Sequence, residues 1–556
     1  MHKTLLIAVI FNLSSLVIPF SIYAQLQENS KFSDKNWQLT DFANDSVYGA
    51  SVSKAYAELL KGKKSHQVIV AVIDTGLDTT HEDLQGHIWT NKKETPGNNI
   101  DDDHNGYIDD VHGWNFLGSK DGRNITEESY ENEREYFRLH PSFAEFSDSL
   151  LMDKDERQEY AYYLKLKGIH VKDSAYEANI IKGLTSIIEK MEWVYDIWRK
   201  ILKNDSINLS DIKKGVSPDT AAGTLRTEII NLYSLYNEEP EYPLEAFLAR
   251  NKRNLYKEQS KLDSLILDPN AMRRGIVGDD PGNINNRNYG NNNVGANMPS
   301  HGTHVAGIIA AIRNNNKGFD GIADNVLIMS VRAIPDQDER DKDVALAIRY
   351  AVDNGAKIIN MSFGKPLSPN KNWVDEAVKY ALSKDVLLVS IAQNEGRNID
   401  STDEFPSPVF SDTKEVASNF ITVAASAGGP QDMLAAPFSN YGTHRVNLFA
   451  PGVNIYSTIP ENKYAFKSGT SMAAPVVAGI AAMMLEYYPS LSARQVKYIL
   501  EKTVTKCPGV VVFKPGTNNK VLFSTLSATG GIVNAYNALK LAATIKGERK
   551  VQKFIK

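Results

Sequence analysis

Three short segments rich in small residues place an aspartate, a histidine and a serine far apart in the chain. They are Ala71-Val-Ile-Asp74-Thr-Gly, His301-Gly-Thr-His304-Val-Ala-Gly307 and Ser468-Gly-Thr-Ser471-Met-Ala-Ala-Pro475. A hydroxyl, an imidazole and a carboxylate can together perform acyl transfer. The hydroxyl attacks, the imidazole takes its proton, and the carboxylate orients the imidazole. Small neighbours let backbone and substrate approach a reactive side chain. A fourth segment, Ser390-Ile-Ala-Gln-Asn394-Glu-Gly396, ends a strand-like run and offers an amide donor at Asn394.

Each segment has competing readings. Asp-Thr-Gly also occurs in aspartic proteases, but they need two such carboxylates sharing a proton, and the chain has one Asp-Thr-Gly and no Asp-Ser-Gly. His301 and His304 lie three apart with no glutamate between them, unlike the His-Glu-x-x-His of zinc proteases. Gly469-Thr-Ser471-Met-Ala473 approaches the Gly-x-Ser-x-Gly turn of α/β-hydrolases, whose serine precedes its acid and histidine; here serine comes last. With the order Asp, His, Ser, the four segments resemble those of the subtilisin-like serine proteases (subtilases). The resemblance implies that Asp74 orients and charge-stabilises, His301 is base and then acid, and Ser471 is the nucleophile. Asn394 and the Ser471 N–H would bind the oxyanion, where losing one donor costs roughly 3–4 kcal/mol. It implies an endopeptidase acting on peptides or proteins. A catalytically silent binding protein on the same scaffold is disfavoured because all four positions match.

Asn360-Met-Ser362-Phe363-Gly364 resembles the subtilase segment whose backbone pairs with the substrate strand, a mode that binds main chain and tolerates varied side chains. The pocket for the residue before the scissile bond would then involve Ala392, Gln393 and the region around Glu404-Phe405-Pro406. Glu395 and Glu404 either favour a basic side chain there or form a solvated rim.

The elements that position these residues read as an α/β fold. Apolar runs at 67–73, 326–331, 357–362, 386–390 and 420–424 read as buried strands, with helical spacing at 344–352 and 373–382 between them. Strands apolar on both faces and separated by helices predict a parallel β-sheet with helices on both faces. Asp74 and Asn394 fall at carboxyl ends of strands, where such sheets gather function. His301 and Ser471 begin helical patterns over 301–312 and 471–487, and a helix N-terminus favours negative charge. The stretch 531–539 looks like the closing helix of a subtilase domain.

Asp74 and His301 stand 227 positions apart, where typical subtilases have a few dozen. The organisation expected is a signal peptide at 1–24, the first part of the subtilase domain at 25–119, a helical insertion at 120–282, the second part at 283–545 and a basic tail at 546–556. Within the insertion Leu184, Ile188, Met191, Tyr195, Trp198 and Leu202 form one apolar helix stripe. A second begins at Leu225, Ile229, Leu232 and Tyr236, and a third runs from Leu244 to Leu267. The insertion is either a stabilising surface subdomain or a lid or partner-binding element. The signal-peptide reading rests on Lys3, the apolar run Leu5–Phe20 and Ile22-Tyr-Ala24 before Gln25. It implies export, secreted or periplasmic, with no membrane span after its removal. The 42 residues from 25 to 66 are too few for a folding pro-domain, and Asn36-Trp37 through Lys61 look like the start of the mature domain.

The chain has 556 residues and a net charge of -5, too mild to imply a nucleic-acid partner. Its single cysteine, Cys507, excludes intrachain disulfides.

Asp101-Asp-Asp103-His-Asn105-Gly106-Tyr107-Ile-Asp109-Asp110 places oxygen side chains at positions 1, 3 and 5 and glycine at 6, the front half of a calcium loop. Tyr107 takes position 7, and His112 replaces the usual glutamate at 12. Asp109 or Asp110 is therefore expected to complete the shell of a structural Ca2+. The loop also resembles acidic loops of bacterial subtilases. Resemblance to thermitase-like members implies a second calcium site at Asp83 and Asn315.

Overall fold

The computed structural model describes residues 35–125, 128–144, 152–203, 206–214, 226, 230 and 243–549. The expected signal peptide with its cleavage after Ala24, the stripe Leu225, Ile229, Leu232 and Tyr236 (in each case), and residues 550–556 of the tail lie outside the described residues. Contacts divide the chain into two compact units, 1–128 with 276–556, and 129–275.

Nine strands form the sheet of the first unit: β1 (Val68–Asp74), β2 (Gly113–Asn115), β3 (Val326–Arg332), β4 (Ile358–Met361), β5 (Leu387–Ile391), β6 (Phe420–Ser426), β7 (Leu448–Pro451), β8 (Thr505–Lys506) and β9 (Gly531–Ile532). Their order is β8-β9-β7-β6-β5-β4-β1-β3-β2. All neighbours are parallel except the antiparallel β8 and β9. Successive side chains of a strand point to opposite faces. Val68, Val70 and Val72 accordingly enter one hydrophobic cluster, and Ala71 and Ile73 another. Ile358 and Ile359 divide the same way, as do Leu387 and Leu388.

The first cluster is completed by Val305 and Ile308 of the helix Ser300–Ala310 and by Val476, Val477 and Ile480 of the helix Thr470–Tyr487. The second is completed by Val344 and Ile348 of Asp341–Asp353 and by Val374 and Val378 of Lys371–Ser383. Helices therefore cover both faces, as the unbroken apolar strands require. Strand order reverses beside β1, which lies between β3 and β4, and crevices form at such reversals outside the strands' carboxyl ends. An antiparallel hairpin not expected from the sequence, Ile455–Ile459 with Lys463–Lys467, precedes the Ser471 helix. Among the described residues, Thr470–Tyr487 alone is long and apolar enough to cross a membrane, and 89% of it is buried in the core.

The second unit is helical. Asp153 and Glu156 form a capping box that starts a 49-residue helix, Lys154–Leu202. Ile188, Met191 and Trp198 of its stripe pack with Phe247 and Leu248 of the helix Leu244–Ile266. Nearer its start, Tyr163 and Leu166 pack with Tyr136, Leu139 and Phe143 of the helix Glu131–Phe143. Residues 120–128 and 276–282, read from sequence as part of the insertion, belong to the first unit. Ile125 and Val277 enter its second cluster, and buried Lys342 pairs with Asp279 at 2.8 Å.

Candidate active site

Asp74 is the last residue of β1, and its side chain is 1% exposed. Its Oδ1 accepts the Thr75 N–H at 2.7 Å and lies 2.8 Å from His301 Nδ1. A proton on Nδ1 facing Asp74 leaves Nε2 as the basic nitrogen. The close approach depends on Gly302. A Cβ there would fall 1.9 Å from the Gly76 carbonyl oxygen and 3.1 Å from Asp74 Oδ1, so any side chain would push the helix off the strand end. His304, one turn further on, serves the packing instead. Its Nε2 lies 3.0 Å from the Ala465 carbonyl of the hairpin, and burial pushes its pKa down to about 3.

Ser471 is the second residue of its helix, in the turn whose N–H groups have no intrahelical acceptor. Its Oγ donates to the Ser362 carbonyl at 3.0 Å, while Ser362 Oγ donates to the Ser471 carbonyl at 2.9 Å. Asn360, in β4, donates to Ser362 Oγ at 2.9 Å. Asn394 Oδ1 accepts from Thr470 N at 2.9 Å and from Thr470 Oγ1 at 3.1 Å, which orients its amide nitrogen as the free donor. His301, Asn394 and Ser471 line one cleft of ≈ 400 Å³ with Asn454, Phe466, Lys467, Ser468, Gly469 and Met472.

One supporting residue escaped the sequence reading because nothing in its local pattern marks it. Asn440 accepts the N–H groups of Glu395 and Arg397 at 3.1 and 2.9 Å and donates to Glu395 Oε2 at 2.6 Å, which holds the turn after Asn394. Asn360 and Thr470 hold Ser362 and Asn394 as described. Of the expected substrate residues, Ser362, Phe363 and Gly364 follow β4 directly. Ala392 is fully buried, and its side chain packs in a cluster with Tyr48, Ile399 and Ala424 rather than facing the cleft. Glu404 is 8% exposed and lies 2.7 Å from Arg397 Nη2 without aligned hydrogen-bond geometry. Burial, only partly offset by Arg397, pushes its pKa up to about 7.

At the acidic loop, ligand-type oxygens of Glu94, Asp101 and Asp103 lie within 4.8 Å of one another. Glu94, which the loop pattern did not include, is buried with Oε2 unpartnered, while Asp103 N donates to its Oε1 at 3.2 Å. Burial and the charges of Asp103, Asp102 and Asp101 raise the Glu94 pKa. Asp109 and Asp110 also hold the loop. Asp109 accepts the N–H groups of Gly97 and Asn99 at 2.9 and 2.7 Å. Asp110 accepts from Asn91 at 2.7 Å, Tyr350 at 2.7 Å and Asn105 at 3.2 Å. The Tyr107 ring packs edge-on to Trp114 and Tyr350. At the other expected site Asn315 and Asp83 do meet, but the Asn315 amide nitrogen donates to Asp83 Oδ1 at 2.5 Å, and its oxygen accepts the Lys317 N–H at 2.8 Å. Asp83 Oδ2 also accepts from the Tyr464 hydroxyl at 3.3 Å.

The family model described as the subtilase family matches residues 65–523. Thermophilic serine proteinase of Bacillus sp. (strain AK1) is 39% identical over 243 residues, covering 44% of this chain and 52% of that protein. Subtilisin DY of Bacillus licheniformis is 35% identical over 206 residues, covering 37% of this chain and 70% of its own length. Thermitase of Thermoactinomyces vulgaris is 36% identical over 220 residues, covering 39% and 72%. The matched part thus spans about half the length of the first relative and more than two thirds of the other two.

Proposed function

The chain belongs to the subtilase family, and on that premise we propose that it is a serine endopeptidase in which Asp74, His301 and Ser471 form the triad and Asn394 the oxyanion donor. The observation that carries this is the 2.8 Å pairing of His301 Nδ1 with buried Asp74, with Ser471 in the same cleft. As substrate binds, Ser471 Oγ leaves the Ser362 carbonyl and passes its proton to His301 Nε2 as it attacks the scissile carbonyl. Asp74 stabilises the imidazolium in a site where its charge is little screened by water. The negative oxygen of the tetrahedral species is met by Asn394 Nδ2 and the Ser471 N–H, donors already oriented before the reaction. His301 then protonates the leaving amine, and water, deprotonated by the same nitrogen, releases the acyl group from Ser471.

Ser471→Ala is expected to lower kcat/KM on unfolded casein by at least about 10⁴-fold and to abolish labelling by a fluorophosphonate. A folded Ser471→Ala protein with undiminished hydrolysis would refute the assignment.

The acidic loop is read as a structural calcium site held by Glu94, Asp101 and Asp103. The support is a buried, unpartnered carboxylate oxygen among like charges, an arrangement a hard cation with oxygen ligands relieves. Bound there, the ion would supply charge compensation and rigidity, and the catalytic steps use none of it. Export through the N-terminal segment, to the periplasm or beyond, is the reading that Lys3 and the apolar run Leu5–Phe20 support.

A further inference from the structure

The side chain preceding the bond to be cut has a defined route. On the endopeptidase reading, with the scissile carbonyl at Ser471 and the substrate backbone along 362–364 as the subtilase resemblance implies, that side chain would enter the gap between the segment after β4 and the segment after β5. These strands are neighbours, with Met361 opposite Ser390, so Gly364 and Gln393 face each other across the gap. The gap is already occupied. A Cβ placed on Gly364 would lie 2.6 Å from Gln393 Nε2 and 3.0 Å from its Cδ, so the Gln393 amide covers the Gly364 α-carbon. The same point is 2.8 Å from the Phe405 carbonyl oxygen, which forms the far wall. Phe405 and Lys365 hold that wall by exchanging N–H···O bonds, each of 2.9 Å. Gln393 is only 6% exposed.

Its backbone is equally telling. Gln393 has φ +75°, a left-handed conformation that costs a residue with a Cβ and that glycine adopts freely. Strain next to a site is a pointer to function. The backbone cannot easily turn the side chain out. The Gln393 carbonyl accepts the Asn440 N–H at 3.0 Å, and the Ala392 N–H donates to Val423 at 2.9 Å. The open space beside Ser471 lies instead along Asn454 and Phe466–Gly469.

We propose that Gln393 determines specificity by filling the crevice for the residue before the scissile bond, so that this residue must be small: glycine, alanine or serine. The proposal rests on the endopeptidase reading and deepens it. Bulk in a close-packed crevice discriminates steeply, since one methylene is worth roughly 10–200-fold in kcat/KM.

The test compares the parent protein with Gln393→Gly on peptide p-nitroanilides that differ only in alanine, leucine, phenylalanine or lysine at that position. Competent sites are counted by fluorophosphonate labelling. The parent is expected to favour alanine over phenylalanine by at least about tenfold, and Gln393→Gly to shift that ratio toward phenylalanine by at least about tenfold. Sequencing the fragments of an unfolded protein cut by the parent reads the same preference without any variant; small residues should precede most cuts. Three results would overturn the proposal: a parent that labels and cuts but favours phenylalanine or leucine, a ratio unmoved in folded Gln393→Gly, or cuts mainly after lysine and arginine, which would assign selection to Glu404. Failure of both labelling and cleavage would overturn the endopeptidase reading as well.

Discussion

In the first unit, contacts join segments hundreds of residues apart: β1 at 68–74 pairs with 326–332 on one side and 358–361 on the other. In the second, Trp198 meets Phe247 and Tyr163 meets Tyr136, between helices close in sequence. All four proposed catalytic residues belong to the first. A parallel sheet covered on both faces fixes its strand ends through many mutually dependent pairings, and Asp74, Ser362 and Asn394 stand at or just beyond such ends. Helices joined by local contacts need only an apolar stripe, which many sequences satisfy. The contrast locates geometric precision in the unit whose order depends on distant residues, and it predicts that damage to the two units reads out differently.

The largest effect should come from Trp198→Ala, which removes a fully buried indole and should destabilise the helical unit by about 3–5 kcal/mol. Hydrogen exchange should accelerate across 154–202 and 244–266, while 68–74 and 387–391 stay protected. Equal loss in the strands would erase the distinction between the units. In the first unit, Asn394→Ala should lower kcat by about 10²–10³-fold with KM little changed and the melting temperature near that of the parent, because it removes the proposed oxyanion donor. An equal rise in KM would indicate a binding role instead. Chelation should destabilise the first unit alone, by about 2.7 kcal/mol relative to free calcium at a hundredfold excess over Kd. Glu94→Gln should weaken that response in calorimetry, and an unchanged response would remove Glu94 from the ligand set.

The smallest effect is a pH slope. Glu404 has its folded pKa raised from 4.5 to about 7 by burial. The folded state therefore binds its proton more tightly than the unfolded state. Its contribution to stability is fully present below pH 4.5 and is lost as pH rises through about 7. Denaturation of Glu404→Gln measured from pH 4.5 to 7.5 should decline less steeply than the parent. A parallel decline would assign the slope to other groups.

Much of this was legible in advance for physical reasons. Strands buried on both faces carry unbroken apolar runs, so β1, β3, β4, β5 and β6 could be read within a residue or two. Glycine and small residues at Gly302 and around Ser471 marked places where backbones crowd a reactive group. The hairpin at 455–467 was not legible, because its second strand, exposed at Lys463 and Phe466 and half-buried between them, carries no long apolar run. Asn440 and Glu94 were not legible either: Asn440 acts on Glu395, 45 positions away, and Glu94 lies outside the loop pattern, accepting from Asp103 9 positions on.

By itself, the sequence determined the reactive types, their order along the chain and the alternation that makes a layered sheet, because these depend on chemistry and local periodicity. Only the tertiary structure decided which oxygen of Asp74 faces His301, that Asp109 and Asp110 brace the acidic loop while Glu94 joins its cluster, that Asp83 and Asn315 pair with each other, and that Gln393 covers Gly364. Those outcomes turn on distances of a few ångström between segments that no local pattern relates, and close packing settles such distances only once the whole core has formed.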